Sequence, residues 1–377
     1  MAGPLKGIRI IEFAGIGPGP FCGMMLADHG AEVLRIDRPN GGAAPHDVTA
    51  RGRAGSLALD LKAEADRAAA MQAIAAADVL IEGFRPGVAE RLGIGPDDCK
   101  ARNPKLVYGR MTGWGQFGPY AQAAGHDINY ISLSGVLHGI GRAGEKPVPP
   151  ANYVGDFGGG GMMLAFGMSS ALVHAARTGE GQVIDCAMTD GSALLAGMSW
   201  WFHAAGRLQD QAGVNMLDGG AHFYDSYACA DGKFISIGSI EPQFYALLRE
   251  KTGLTDDPDF DAQMDPSQWG PLKDKLTALF KTKSRDEWCA IMEMTDVCFA
   301  PILSLSEAPQ HPHNVERETF LTVGGAIQPA PAPRYSVTVN DTPRPAPSVG
   351  GDGDAVLSGL GYDAGTIAAL RDGGAVR

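Results

Sequence analysis

The sequence predicts an α/β protein, a Rossmann-like large domain joined to a smaller α+β domain. Strand and helix signals alternate through the first 115 residues, and the pattern changes beyond Asp190. A chain of 377 residues with 45% hydrophobic content also favours two folding units over one. The expected division is 1–190 for the first part of the large domain, 191–328 for the small domain, and 329–377 for a segment returning to the large one.

Gly7-Ile8-Arg9-Ile10-Ile11-Glu12-Phe13 is a β-rich run, broken by the Gly and Pro residues of Gly15 to Pro20. A helix through Phe21, Met24, Met25 and Leu26 then ends at His29-Gly30. Glu32 to Asp37 reads as the second strand, and after a Gly-rich loop Ser56 to Leu61 reads as the third. An Ala-rich helix spans about Ala63 to Ala77, followed by strands at Asp78 to Glu82 and Leu106 to Gly109. Helices are expected after Gly125-His126-Asp127, through Asn129, Tyr130 and Leu133, and after Asp156, through Met162, Leu164, Phe166 and Leu172. In the second unit, Tyr224 to Ala228 and Lys233 to Ile237 form a strand pair around the turn Cys229-Ala230-Asp231-Gly232, with two or three helices through about Met294. The alternating Tyr335-Ser336-Val337-Thr338-Val339 suggests one more strand inside a Pro-rich connection, and Asp354 to Leu370 a pair of short helices.

Composition excludes several function classes. A net charge of −12 argues against general nucleic-acid binding. The charge is uneven: residues 1–110 carry 14 Lys and Arg against 13 Asp and Glu, the remainder 17 against 30. Cations kept in one segment of an acidic chain suit an anionic ligand or an uneven surface. No run of about 18 apolar residues occurs, the N-terminal residues lack a secretory pattern, and the last three are not a peroxisomal tripeptide, so the expected location is cytoplasmic. Six cysteines, at 22, 99, 186, 229, 289 and 298, show no Cys-x-x-Cys spacing and read as reduced structural thiols. The pair His311 and His313 lacks framing carboxylates, and no metal is expected.

The chain start could pass for a dinucleotide site, with a Gly-x-Gly turn after strand one and Asp37 ending strand two. Gly15-Ile16-Gly17-Pro18-Gly19-Pro20, however, puts Pro where the third Gly of that fingerprint belongs. His126 and Asp156 stand out instead. A histidine in front of a helix meets the positive end of the helix dipole, which disfavours imidazolium and suits a base. The N–H groups around Asp127 could bind a developing oxyanion. The bland alternative is a loop histidine beside Asp127 as the N-cap, and Asp156 could likewise be a plain cap. A cap leaves Gly158 to Gly161 unexplained, because four helical glycines cost roughly 1 kcal/mol each and call for close approach by a ligand or another backbone. Arg38, Lys62, Arg85 and Arg91 are candidate phosphate anchors, three of them following strands or the loop Gly83-Phe84-Arg85-Pro86-Gly87.

Several segments carry a family likeness over essentially the whole chain: Pro4-Leu5-Lys6-Gly7 leading to Gly15–Pro20, Gly30 to Pro39, Asp60-Leu61-Lys62, Arg85-Pro86-Gly87-Val88, Gly113 to Pro119, Gly125 to Tyr130 and Leu357 to Tyr362. They resemble the family III CoA-transferase superfamily (CaiB/BaiF type), and within it the α-methylacyl-CoA racemase branch. That resemblance implies a two-base 1,1-proton transfer on a 2-methylacyl-CoA thioester through an enolate, with His126 serving the S epimer and Asp156 the R. It also implies a Glu at Glu241 paired with the His, and an interlocked homodimer. The alternative branch, CoA transfer, would use Asp156 as an acyl-anhydride nucleophile without needing His126. CoA is expected on the large domain, its phosphates near Arg38, Lys62, Arg85 and Arg91 and its adenine near Leu59, Asp60 and Leu61. Ile16, Gly83, Phe84, Gly125, Asn129 and Tyr130 complete the expected CoA contacts, with the acyl chain among Met162, Met163 and Met188. No cofactor beyond the CoA moiety is implied.

Overall fold

The computed structural model describes residues 2–41 and 46–372. Part of the Gly-rich loop expected after the second strand, at 42–45, and the C-terminal residues 373–377 lie outside the described residues. The chain divides into two compact units, one of Met1–Ser134, Ala151–Ala196 and Arg317–Arg377, the other of Gly135–Pro150 and Gly197–Glu316.

The first unit is organised by six strands: β1 Arg9–Phe13, β2 Glu32–Asp37, β3 Gly55–Ala58, β4 Val79–Glu82, β5 Val107–Thr112 and β6 Val183–Ala187. They lie in the order β3-β2-β1-β4-β5-β6, and every neighbouring pair is parallel. Parallel sheets are covered on both faces, which explains why the strands are mostly apolar, with Glu12, Arg35, Glu82 and Arg110 buried among them. Alternate residues divide between two cores. Ile11, Phe13, Ile36, Leu57 and Leu80 pack on one face, and Ile10, Val33, Val79, Ile81 and Val107 on the other. The helices are α1 Pro18–Asp28, α2 Glu64–Ala75, α3 Val88–Arg91, α4 Pro96–Arg102, α5 Asp127–Leu133, α6 Met163–Thr178 and α7 Met188–Leu195. Pro18 suits the start of α1, where its missing N–H would have no helical partner. The third strand stops at Ala58, short of Leu61. Asp60 closes a local turn there, its carboxylate accepting from the Lys62 N–H at 3.1 Å while its own N–H donates to Asp66 at 2.6 Å.

The second unit contains α8 Gly197–Ala204, then the antiparallel sheet of β7 Tyr224–Ala228, β8 Phe234–Gly238 and β9 Phe299–Ile302. Three helices, α9 Pro242–Thr252, α10 Trp269–Phe280 and α11 Arg285–Met292, lie between β8 and β9, and α12 Pro312–Glu316 follows. Its core gathers Phe223, Phe260, Phe280 and Trp288, all buried. β9 completes the sheet without having been legible beforehand.

The chain then forms the hairpin β10 Phe320–Val323 and β11 Ala326–Pro329, followed by α13 Gly353–Gly359 and α14 Ala364–Asp372. Leu357 and Ile367 of these last helices join Leu57 and Leu80 in one core. The strand expected at Tyr335–Val339 does not form. Its alternating pattern suits a ladder, but no strand pairs with it and Val337 and Val339 stay exposed.

Candidate active site

Because β1 to β6 are parallel, the segments that follow them emerge at one edge of the sheet, where open α/β sheets bind ligands. Ile16 follows β1 and is 88% exposed. Arg38 follows β2, Leu59 to Lys62 follow β3, and Gly83, Phe84 and Arg85 follow β4, with Arg91 closing α3. Leu59 is buried, Leu61 and Phe84 are half-buried, and Asp60 and Gly83 are exposed. Phe84 packs against Phe13 with ring centroids 5.6 Å apart. Arg38, Lys62, Arg85 and Arg91 are all exposed, and among the described residues none of them forms an ion pair.

After β5 the chain runs through Gly125 into α5. His126 is the N-cap of that helix, in extended conformation, with an exposed side chain. Asn129 holds it there, its Oδ1 accepting the His126 N–H at 3.0 Å. Tyr130 is buried and donates its hydroxyl to the Gly125 carbonyl, so it fixes the loop in front of His126. Its ring stands edge-on to Trp114 at 4.8 Å. Burial, together with Asp156 and Asp127 against the opposing Arg85, pushes the Tyr130 hydroxyl upward. A groove of about 380 Å³ bordered by Trp114, Tyr120, Asn129 and Leu133 opens beside this helix.

Asp127 does not cap its own helix. Its buried carboxylate accepts the N–H of Asp156 at 2.6 Å, joining the two segments that carry the candidate bases. Asp156 is also placed differently from expectation. It lies inside the first turn of a ten-residue π-helical segment, Tyr153–Met162, which runs directly into α6, and Asn152 takes the cap position. π-Helical turns are rare, and those within α-helices are frequent at functional sites. The half-buried Asp156 side chain accepts from Asn152 Nδ2 at 3.2 Å and lies against the Gly17 backbone, where a Cβ would come within 3.3 Å of Oδ2. Burial raises its carboxyl from the ordinary aspartate value, and Asp127 adds to that, while Asn152 and His126 oppose it.

The glycine run has a packing cause. A Cβ at Gly159 would lie 2.5 Å from the Ser192 nitrogen, and one at Gly191 would overlap the Gly159 carbonyl. The π-helical segment and α7 therefore touch backbone to backbone. Of the candidate acyl-contact methionines, Met188 belongs to the core under this segment, Met163 is half-buried and Met162 is 51% exposed. Glu241 is the exposed N-cap of α9 in the second unit. His311 pairs with Glu293 at 2.7 Å, and among the described residues no group of three or more His, Cys, Asp or Glu could hold a metal ion. No helix among the described residues is long and apolar enough to cross a membrane.

Residues 5–353 match the family described as CoA-transferase family III. The chain is 46% identical over 360 residues to a protein of Mus musculus named "Alpha-methylacyl-CoA racemase", covering 95% of this chain and 93% of that one. A Homo sapiens protein of the same name is also 46% identical, over 87% of this chain and 86% of its own. Among solved structures, a CAIB/BAIF family protein from Brucella suis superposes with a TM-score of 0.82 at 25% identity, covering 96% of this chain and all of that one, 100%.

Proposed function

Because this chain belongs to CoA-transferase family III, we propose that it is a racemase that interconverts (2R)- and (2S)-2-methylacyl-CoA thioesters. The observation that carries this reading is the 2.6 Å hydrogen bond from the Asp156 N–H to Asp127, the residue directly after His126. It joins the His126 helix start to the Asp156 turn, so two ionisable groups share one site.

One base removes the proton α to the thioester carbonyl, a planar enolate forms, and the conjugate acid of the other base returns a proton to the opposite face. Reversal of roles gives both directions. The Asp127 and Ile128 N–H groups at the start of α5 have no intrahelical partner and can donate to the enolate oxygen, while the Asn129 N–H already donates to the His126 carbonyl at 2.8 Å; loss of one such donor typically costs on the order of 10² to 10³ in rate. Arg38, Lys62, Arg85 and Arg91, exposed and without an ion pair among the described residues, would bind the CoA phosphates, with Leu59, Asp60 and Leu61 beside the adenine. Ile16, Gly83 and Phe84 share that edge, and Gly125, Asn129 and Tyr130 shape the loop carrying His126. A proton transfer of this kind uses no metal or redox group, and CoA arrives as part of the substrate.

A homodimer with interlocked subunits is part of the proposal. Its support is α8, a helix with no buried residue whose Trp200 and Trp201 are 59% and 58% exposed. Large aromatic rings exposed on one helix suit a surface that another subunit covers.

Exchange of the substrate α-proton in D₂O tests the function. The unaltered chain should exchange both epimers, and His126→Ala should lose most of that exchange. Undiminished exchange in the variant overturns the assignment. Trapping of an Asp156 acyl adduct by hydroxylamine, with no exchange, would support the family's transferase chemistry instead.

A further inference from the structure

Asp127 is only 6% exposed, and its two oxygens have different surroundings. Oδ1 accepts the Asp156 N–H at 2.6 Å, while Oδ2 is buried with no hydrogen-bond partner. A carboxylate held in that state is expensive, since a buried acceptor without a partner loses its hydration and gains nothing in return. The neighbouring residue admits it: a Cβ at Gly155 would lie 2.5 Å from Asp127 Oδ1, closer than any side chain could approach. Gly155 does not have a positive φ, so its lack of a side chain answers to space and not to backbone conformation.

We propose that the Asp127 carboxylate is a positioning residue for Asp156, a strut that sets where the second base stands, and that residue 155 is glycine to let the strut reach its backbone. This rests on the reading of Asp156 as a base. The strut acts in two ways. Its hydrogen bond fixes the main chain of the π-helical turn at the base itself, and its charge faces the Asp156 carboxyl from α5. The other groups facing Asp156 are Asn152 on its own segment, His126 and Tyr130 from α5 and the Gly17 backbone from α1; α7 meets the segment through Gly191 and Ser192, and its one ionisable group is Asp190. Burial holds the Asp156 carboxyl up and the charge of Asp127 adds to it, which makes that group a stronger base than an ordinary aspartate.

Asp127→Asn keeps an oxygen acceptor for the Asp156 N–H and removes the charge, whereas Asp127→Ala removes both. Two readouts are needed, α-proton exchange from each epimer as a function of pH, and titration of the Asp156 carboxyl by ¹³C NMR, assigned by its loss in Asp156→Asn. In Asp127→Ala, kcat for exchange from the epimer served by Asp156 should fall on the order of 10²-fold with little change in KM. Asp127→Asn should recover most of that loss, while the Asp156 titration and the acid limb of the profile both move to lower pH. Gly155→Ala should reproduce the Ala variant's loss with Asp127 intact. The strut is overturned if Asp127→Ala keeps exchange within about twofold, or if the carboxyl titrates identically in all the variants, as a merely structural role requires. Should the unaltered chain exchange no α-proton, the racemase reading fails, and the carboxyl titration still decides the strut.

Discussion

Two populations of cations in the first unit are treated in opposite ways. Arg35, Arg51, Arg53 and Arg110 are buried, and each meets a carboxylate: Asp37 at 3.0 Å, Asp28 at 2.6 Å, Glu12 at 2.6 Å and Glu82 at 2.9 Å. Arg38, Lys62, Arg85 and Arg91 stand exposed at the carboxyl edge without such a partner among the described residues. A charge inside the fold must be neutralised in place, because desolvation costs several kcal/mol per ion. A charge at the edge stays hydrated until an anion arrives. The first group holds the sheet to its surroundings, Arg51 reaching Gln328 and the Pro329 carbonyl as well as Asp28. The second is free to bind.

The contrast breaks most visibly at Arg53. Its side chain and that of Glu12 are fully buried, so Arg53→Met should cost about 3–5 kcal/mol in chemical denaturation by stranding Glu12. The double variant with Glu12→Leu should recover most of that loss, and a single-variant cost below about 1 kcal/mol would show that the pair is not needed. At the edge the effect moves from stability to binding. Arg85→Ala should raise KM for a CoA thioester about tenfold, near 1.4 kcal/mol, while unfolding stays within about 0.5 kcal/mol of the parent. A large loss of stability with unchanged KM would put Arg85 in the wrong population.

A third effect is a pH slope. Burial raises the Glu82 carboxyl from 4.5 to about 7 against the opposing Phe84 N–H and Arg110. Between those values the folded chain holds a proton that the unfolded chain has released, so stability falls as pH rises through that window. Above it the contribution is constant. Glu82→Gln should flatten the slope in thermal melts from pH 4.5 to 7, and an unchanged slope would assign it elsewhere.

Legibility followed the scale of the forces involved. β1, β2 and β4 were plain because strands covered on both faces are mostly apolar, even with Glu12, Arg35 and Glu82 among their residues. The edge position of Arg38, Lys62 and Arg85 followed from that, since a parallel sheet sends every strand's exit the same way. β9 and the β10–β11 hairpin were not visible, because short strands of mixed composition depend on partners distant in sequence. Tyr335–Val339 fails for the same reason: the pattern is present and the partner is absent. His126 was legible as a helix start, whereas the π-helical turn around Asp156 was not, since widening a helix leaves no composition signal. The Asp127 bond to Asp156 spans 29 positions and exists only in three dimensions.

The main-chain seam between Gly159 and Gly191 has a consequence for change over time and by design. A joint made of backbone resting on backbone keeps its coordinates while surrounding side chains drift, because no rotamer participates in it. Side chains around such a joint, the exposed Met162 among them, can vary while the segment stays put. The same rigidity makes either glycine an intolerant position: any side chain there would have to move an entire helix.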